Sequence, residues 1–221
     1  MGLGARRVAP GAAIAYWLGN PVLNPATIVF IGFVLGWRWA LVRIVAGVAL
    51  VLGAGWLVNR FAGDDAGAAA ALGASEPAEP PDNDVWRRWL RSLAKLALGV
   101  VPEWIVIVLL LGFARAWLFP AMTPAIGAAL WLLPAFALAG TLFVIPTAGE
   151  VPILQVLSRY GLGGGSFGVL LLALPAISLP SMLMVGRRRT IPPRLVALTG
   201  AAVAVAALAV GVAALALGIA P

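Results

Sequence analysis

Long apolar stretches that carry few or no charges dominate this sequence. Residues 195–219 contain no charged side chain and consist mostly of Ala, Val, Leu and Gly. Residues 39–59 are equally apolar except for Arg43, which lies near the start of the stretch. A helix of roughly 20 apolar residues crosses the hydrocarbon core of a bilayer. The sequence therefore predicts an all-α polytopic membrane protein and excludes a soluble globular domain.

Four stretches are long and apolar enough to be full transmembrane helices. We expect Arg43 to extend along its helix and reach the membrane interface, as long cationic side chains do near helix ends. A Trp- and Arg-rich segment has the pattern of a helix that lies in the interface. The sequence is predicted to have a first unit at 1–60, which contains a crossing at 39–59, followed by a flexible linker at 61–84. The second unit, at 85–221, begins with the interfacial helix at 85–95. Its crossings are at 96–118, 125–145 and 195–219.

Two further apolar segments, 10–36 and 166–186, are interrupted in the middle by paired prolines. Proline has no N–H and forces its predecessor out of the helical region, so each segment is predicted to be two half-helices that meet at a break. A break at membrane depth frees backbone carbonyls and can hold an anion or a small polar solute. The candidate substrate-binding residues are Asn20, Pro21, Asn24, Pro25, Pro175, Ser178 and Pro180.

These residues also have purely structural interpretations. The prolines would then only kink their helices, Asn24 would cap the half-helix that follows it, and Ser178 would bond to its own helix. The occurrence of the same break in two segments favours a binding site.

The two broken segments belong to an internal repeat. Displacing the sequence by 154 residues pairs Gly11 with Gly165 and Pro21 with Pro175. If each broken segment is a re-entrant hairpin, ten of the fifteen basic residues lie on one side, whereas complete crossings divide them eight to seven. We therefore predict re-entrant segments in an inverted repeat. Glu150 precedes the second copy, and its counterpart would precede Met1, so we expect the first repeat to be truncated.

Composition limits the available chemistry. The 221 residues include no Cys and no His, which excludes disulfides, Cys nucleophiles and His bases, and no metal site or cofactor is expected. Intramembrane proteolysis needs paired Asp, a Ser with a basic partner or a metal site. The chain has no Asp in its apolar segments and no His or Cys to bind a metal, so an enzyme is not expected. Only Glu103 and Glu150 lie near apolar sequence, because the other acids fall in the linker, namely Asp64, Asp65, Glu76, Glu79, Asp82 and Asp84.

Glu103 and Glu150 are therefore the candidates for proton coupling. Ionisable groups near membrane depth are functional by default. The alternative for Glu150 is capping, because it lies just ahead of a helical segment and has capping-box spacing from Thr147. The alternative for Glu103 is a structural carboxylate that reaches the interface or pairs with a basic residue.

Two stretches resemble a family of predicted permeases whose characterised branch exports organoarsenicals, namely GAAIAYWLGNPVLNPATIVFIGFVLGWRWALVR and AGEVPILQVLSRYGLGGGSFGVLLLALPAISLPSMLMVGRR. Both proline-broken segments occur in the family's order, and WLRSLAKLALGVVPEWIVIVLLLGFARAWLFP looks like its middle helix. Family members usually begin earlier, with further helices and a Cys-containing motif that this chain lacks. The resemblance implies an integral membrane permease.

The leading hypothesis is a multi-pass permease of the plasma membrane that moves a small solute or ion by alternating access around the two breaks. The alternative is a non-transporting membrane subunit, or a half-transporter that needs a second membrane chain or a homodimer. The expected partner is the lipid bilayer. The net charge of +7 is explained by Arg-rich loops that set the orientation of the protein in the membrane, so no nucleic-acid partner is expected.

Overall fold

The computed structural model describes residues 9–62 and 129–221, except 143–144, 146–147, 180, 183–184 and 186–190, together with 86–87, 89–91, 93–94, 98 and 109. All regular structure within these residues is helical, which confirms the all-α prediction. The helices are α1 (Pro10–Val22), α2 (Pro25–Val34), α3 (Trp37–Phe61), α4 (Leu132–Leu142), α5 (Glu150–Arg159), α6 (Gly164–Ala176) and α7 (Pro193–Ala216).

Three helical stretches in the described part of the chain are long and apolar enough to cross a membrane. They are α3, α7, and α1 with α2 taken together as Pro10–Val34. Helices α3 and α7 coincide with the crossings predicted at 39–59 and 195–219. The crossing predicted at 96–118 lies almost wholly outside the described residues. In the crossing predicted at 125–145 the structure describes 129–142 and 145, of which α4 is the helical part. The count of four crossings therefore stays a prediction.

The first break is narrower than the prolines alone suggest. Helix α1 continues through Pro21 to Val22, and α2 begins at Pro25, in the first helical position that proline favours. The Asn24 side chain caps α2, because its Oδ1 accepts hydrogen bonds from the N–H groups of Ala26 at 3.0 Å and Thr27 at 3.3 Å. The capping interpretation of Asn24 is therefore confirmed.

The second break has the same local chemistry. Helix α6 ends at Ala176, and Ile177 is fully extended, with φ −151° and ψ 166°. The N–H of Ser178 donates to Ser181 Oγ at 3.0 Å, and the N–H of Ser181 donates to Ser178 Oγ at 3.4 Å. This reciprocal pair is typical of a capping box at the start of the next helical stretch. Ser178 thus bonds to its own helix, whereas Pro180 lies outside the described residues.

Helix α6 occupies the centre of the bundle. It packs against α1, α3, α4, α5 and α7, and every residue in it except Gly164 and Pro175 is buried. A helix that is apolar on all sides is stable only when other helices surround it. The second broken segment is therefore placed where residues from several other helices can reach its backbone.

In each copy of the predicted repeat, a pair of glycines lets two helices pack closely. A Cβ added to Gly55, near the end of α3, would lie 3.0 Å from the carbonyl oxygen of Gly11 in α1. A Cβ added to Gly211, near the end of α7, would lie 2.8 Å from the carbonyl oxygen of Gly165 in α6. Small residues permit such close helix approach in membranes. The contacts agree with the pairing of Gly11 with Gly165, while the inverted relation of the copies stays a prediction.

Residues 74–121 form a second compact unit. The described residues between 86 and 94 are helical, and the rings of Trp86 and Trp89 stack with centroids 5.0 Å apart. The contact shows that both Trp side chains lie on one face of this helical segment. Its interfacial location stays a prediction, and the linker predicted at 61–84 lies outside the described residues beyond Ala62.

Candidate functional site

Arg43 of α3 is buried in the bundle rather than extended to the interface. Its side chain is 1% exposed. The guanidinium donates to the carbonyl oxygens of Val22 at 2.8 Å and Pro21 at 3.2 Å, and to that of Leu171. The expectation that Arg43 reaches the membrane interface is wrong, because unpaired acceptors inside the bundle bind the guanidinium.

The prolines explain why these carbonyls lack partners within their own helices. The Pro21 and Leu171 oxygens lie four residues before Pro25 and Pro175, which have no N–H to donate. In a continuous helix the Val22 carbonyl would accept from the N–H of Ala26, four residues later. That N–H donates to the Asn24 side chain instead, so the Val22 carbonyl also needs another donor. Arg43 therefore satisfies carbonyls that both breaks release, and it links the two breaks directly.

Glu150 completes this cluster, which we call the Arg43 junction: Arg43, Glu150 and the carbonyls of Pro21, Val22 and Leu171. Glu150 Oε1 lies 3.3 Å from Arg43 Nη2, and both side chains are buried. Its other oxygen, Oε2, is buried and has no hydrogen-bond partner among the described residues. The ion pair thus holds one carboxylate oxygen, and the second remains available as an acceptor.

The backbone before α5 turns sharply at this point. Ala148 has φ 64°, a left-handed conformation that is uncommon for residues other than glycine. Glu150 follows in the first turn of α5, where a negative charge is favourable against the helix dipole. The capping-box partner predicted for it, Thr147, lies outside the described residues. Glu150 therefore lies where the helix dipole favours an acid, and it also pairs with Arg43.

The surroundings of the junction are apolar. Helices α1, α2, α4 and α6 contain no Asp, Glu, Lys or Arg. None of these four helices therefore supplies another countercharge to Arg43 or Glu150. A buried ion pair loses its hydration, and removing one partner leaves an uncompensated buried charge. The Arg43 junction is therefore the point in the described bundle where a change of charge has the largest structural consequence.

A separate apolar groove of about 530 Å³ lies between α3 and α7, with Leu172 of α6 lining it. Its walls are Ala, Gly, Leu and Val side chains, including Ala46, Gly53, Ala202 and Val205. The groove therefore offers no polar group to orient a polar solute. We accordingly place the candidate site at the junction.

The structure separates the candidate site residues into groups. The Pro21 carbonyl lies in the junction, whereas Pro25 and Pro175 act through the N–H groups they lack, which leave the carbonyls of Pro21 and Leu171 without helical donors. Asn24 and Ser178 cap helices, and the Asn20 side chain is exposed at the surface of the chain. Pro180 and Glu103 lie outside the described residues.

Sequence reasoning missed Arg43 and the carbonyls of Val22 and Leu171. The available signal was spacing, since Pro21 and Leu171 each lie four residues before a proline and so must find a donor elsewhere. Arg43 is the only charged residue between 39 and 59, and its five N–H groups suit several acceptors at once. Together these signals could have indicated an arginine at the breaks.

Comparison with known proteins identifies the family. Residues 2–215 match a family described as predicted permease. The chain is also 44% identical over 202 residues to the UPF0718 protein YraQ of Escherichia coli (strain K12), covering 91% of this chain and 57% of that protein. The chain thus spans a little over half the length of this relative, and no solved structure matches it. The resemblance seen in the broken segments is confirmed, and the chain belongs to the predicted permease family.

Proposed function

We propose that the protein is a plasma-membrane permease that moves a small solute or ion by alternating access around the Arg43 junction. The observation that carries this proposal is that one guanidinium binds backbone carbonyls from both proline breaks. Transporters commonly place substrate and ion sites at discontinuous helices, where unwound backbone groups lie near the bilayer midplane. Membership of a permease family supports the same activity.

The junction suits a reversible contact between two halves of a transporter. Its bonds join α1 to α6 through a side chain of α3, so they can break without unfolding any helix. We propose that Pro25 and Pro175 contribute by releasing the carbonyls of Pro21 and Leu171, that Pro21 contributes its own carbonyl, and that Asn24 and Ser178 keep the half-helices stable at the breaks. Asn20 and Pro180 are the remaining residues of the proposed site, one in each broken segment. A solute would bind where carbonyls become free as Arg43 moves.

A second candidate function is a non-transporting membrane subunit or half-transporter that needs a partner chain or a homodimer. The observation that favours it is that Arg43 already satisfies the carbonyls at the junction in this conformation. The junction would then be a permanent clamp between the two broken segments. The two candidates differ in whether the junction opens to both sides of the membrane.

Labelling from both sides of the membrane distinguishes these candidates without knowledge of the substrate. The chain has no native Cys, so Leu23→Cys places one thiol in the first break. Alternating access predicts that a small membrane-impermeant methanethiosulfonate modifies this thiol in both right-side-out and inside-out vesicles of the full-length protein. Modification from one side only, or from neither, would contradict alternating access and favour the clamp. Gly53→Cys, in the apolar groove, is a control that alternating access does not expose to water.

We also propose that both broken segments are re-entrant and enter the membrane from opposite faces. The re-entrant topology places ten basic residues on one side of the membrane and five, including Arg43, on the other. Because Arg43 is buried in the bundle, we leave it out of the comparison, which becomes ten against four. The positive-inside rule then places the larger group in the cytoplasm. That group is Arg60, Arg87, Arg88, Arg91, Lys95, Arg159, Arg187, Arg188, Arg189 and Arg194.

Two single-Cys variants test this topology. Ser75→Cys in the linker and Thr190→Cys beside the Arg run are both expected to react with an impermeant thiol reagent from the cytoplasmic side, because re-entrant segments return the chain to the side it came from. Mass spectrometry of inside-out and right-side-out vesicles measures the labelled fraction. Reaction of the two positions from opposite sides would show that a broken segment crosses the membrane completely.

A further inference from the structure

We propose that Glu150 binds the coupling proton of the transport cycle at its Oε2 atom, and that this proton releases Arg43 from the two breaks. The inference rests on the proposed permease function, because it names the coupling ion of that activity and the residue that responds to it. It follows from the second oxygen of Glu150, the charge balance of the junction and the neutral character of the other ligands of Arg43.

The first step concerns the unpartnered oxygen. Glu150 is 0% exposed, and its Oε2 has no donor among the described residues, while Oε1 faces Arg43. A buried carboxylate oxygen without a donor is costly because its negative charge is not stabilised, and a proton removes that charge without needing a cavity. Proton binding forms an O–H bond at Oε2 and leaves Oε1 as a neutral carbonyl acceptor for Arg43.

The second step concerns the charge that remains. Before protonation, the carboxylate and the guanidinium sum to zero charge. After protonation, Arg43 carries a full positive charge whose other described ligands are the uncharged carbonyls of Pro21, Val22 and Leu171. An isolated charge inside an apolar bundle is strongly unfavourable. The guanidinium is therefore driven toward water or an anion, and the carbonyls of both breaks are released.

The third step is that no other charge in the described part of the bundle replaces Glu150. Helices α2, α4 and α6 carry no titratable side chain, and α1 carries only Tyr16, which is 80% exposed. On α3, Arg38 and Arg60 are exposed, on α7 the charged residue is the exposed Arg194 in its first turn, and on α5 the remaining ionisable group is the exposed Arg159 at the opposite end of the helix. Glu150 thus controls the charge balance of Arg43 within the elements that pack around the junction.

A distance measurement between the two broken segments tests the inference. Spin labels on Tyr16→Cys in α1 and Leu179→Cys, after the second break, use two exposed positions in a chain that has no other Cys. Pulsed electron paramagnetic resonance of the full protein in liposomes should give one distance distribution at neutral pH and a shifted or broader one at mildly acidic pH. Lower pH protonates Glu150, so opening should increase as pH falls.

Glu150→Gln imitates the protonated acid and should give the acidic distribution already at neutral pH, with no further response to pH. Arg159→Gln is the matched control, because it removes an exposed charge from the same helix, and it should respond to pH like the parent. The inference is overturned if Glu150→Gln has the parent's distribution at neutral pH, or if it keeps the parent's pH response.

Glu150→Asp covers the possibility that Glu150→Gln fails to fold. Asp keeps a titratable carboxyl group, so the pH response should persist in this variant, and its loss would also overturn the inference. The distances are measured without any solute, so a negative result here leaves the permease proposal untouched. Conversely, one-sided labelling of Leu23→Cys would reject alternating access whatever the distances show.

Discussion

Replacing Arg43 with Gln is expected to lower the free energy of unfolding by about 3–5 kcal/mol, the usual cost of leaving one member of a buried ion pair alone. The variant leaves the Glu150 carboxylate without its countercharge. It also leaves the Leu171 and Val22 carbonyls short of donors, because a Gln amide has two N–H groups against the five of Arg. Thermal unfolding of the purified protein in detergent, followed by loss of the monodisperse peak in size exclusion, measures the effect.

Arg38→Gln is the matched control for this prediction. Arg38 lies on the same helix but is exposed, so its replacement is expected to change stability by less than about 0.5 kcal/mol. The double variant Arg43→Gln/Glu150→Gln should be more stable than Arg43→Gln alone, because it removes both buried charges. Equal stability of the Arg43→Gln and Arg38→Gln variants would show that the guanidinium does not hold the breaks together.

Patterns that depend on neighbouring residues predicted the all-helical class, two of the crossings and the first break. The apolar stretches at 39–59 and 195–219 correspond to α3 and α7, which begin two residues earlier in each case. The paired prolines indicated the first break, although Pro21 fits within the last turn of α1, so the break is confined to Leu23 and Asn24. Such features follow from local backbone sterics and hydrogen bonding, which act within a few residues.

The candidate site was only partly predictable, because its partners are distant in sequence. Arg43 binds Val22 across 21 residues, Glu150 across 107 and Leu171 across 128. Local sequence shows a cation near a helix end, where the interface is the nearest place for a charge. Packing of α6 in the centre of the bundle brings three carbonyl groups without helical donors and a carboxylate within reach instead, and that arrangement depends on tertiary structure.

The capping residues show the opposite case, in which local chemistry accounts for the side chain completely. Asn24 binds the N–H groups of the first turn of α2, and Ser178 exchanges hydrogen bonds with Ser181. Both polar side chains satisfy donors that a helix start always leaves unpaired. At each break a carbonyl freed by proline binds Arg43, and the nearby polar side chains stabilise the helix that follows.

Pro175→Ala is expected to weaken the junction while stabilising the helix that contains it. Alanine at 175 supplies an N–H to the Leu171 carbonyl, four residues earlier in α6, and this oxygen is then satisfied within its own helix. The removed Pro penalty inside a helix is about 3 kcal/mol, so folded protein should be retained. Arg43 loses Leu171, its one ligand from the described residues of the second break, and a hydrogen bond that involves a charged group contributes about 1.5–3 kcal/mol.

The measured quantity is the population in which the broken segments are held together, read from the Tyr16→Cys and Leu179→Cys spin labels at neutral pH. A loss of 1.5–3 kcal/mol corresponds to a shift of roughly 10- to 150-fold in the equilibrium between linked and released segments. Pro21→Ala is the matched control, because its new N–H pairs with the carbonyl of Trp17, which Arg43 does not bind, while Pro25 still frees the Pro21 carbonyl. Pro21→Ala should therefore leave the distances unchanged. If both variants shift the distances equally, proline acts at the breaks only by bending helices, and the link through Leu171 has no separate role.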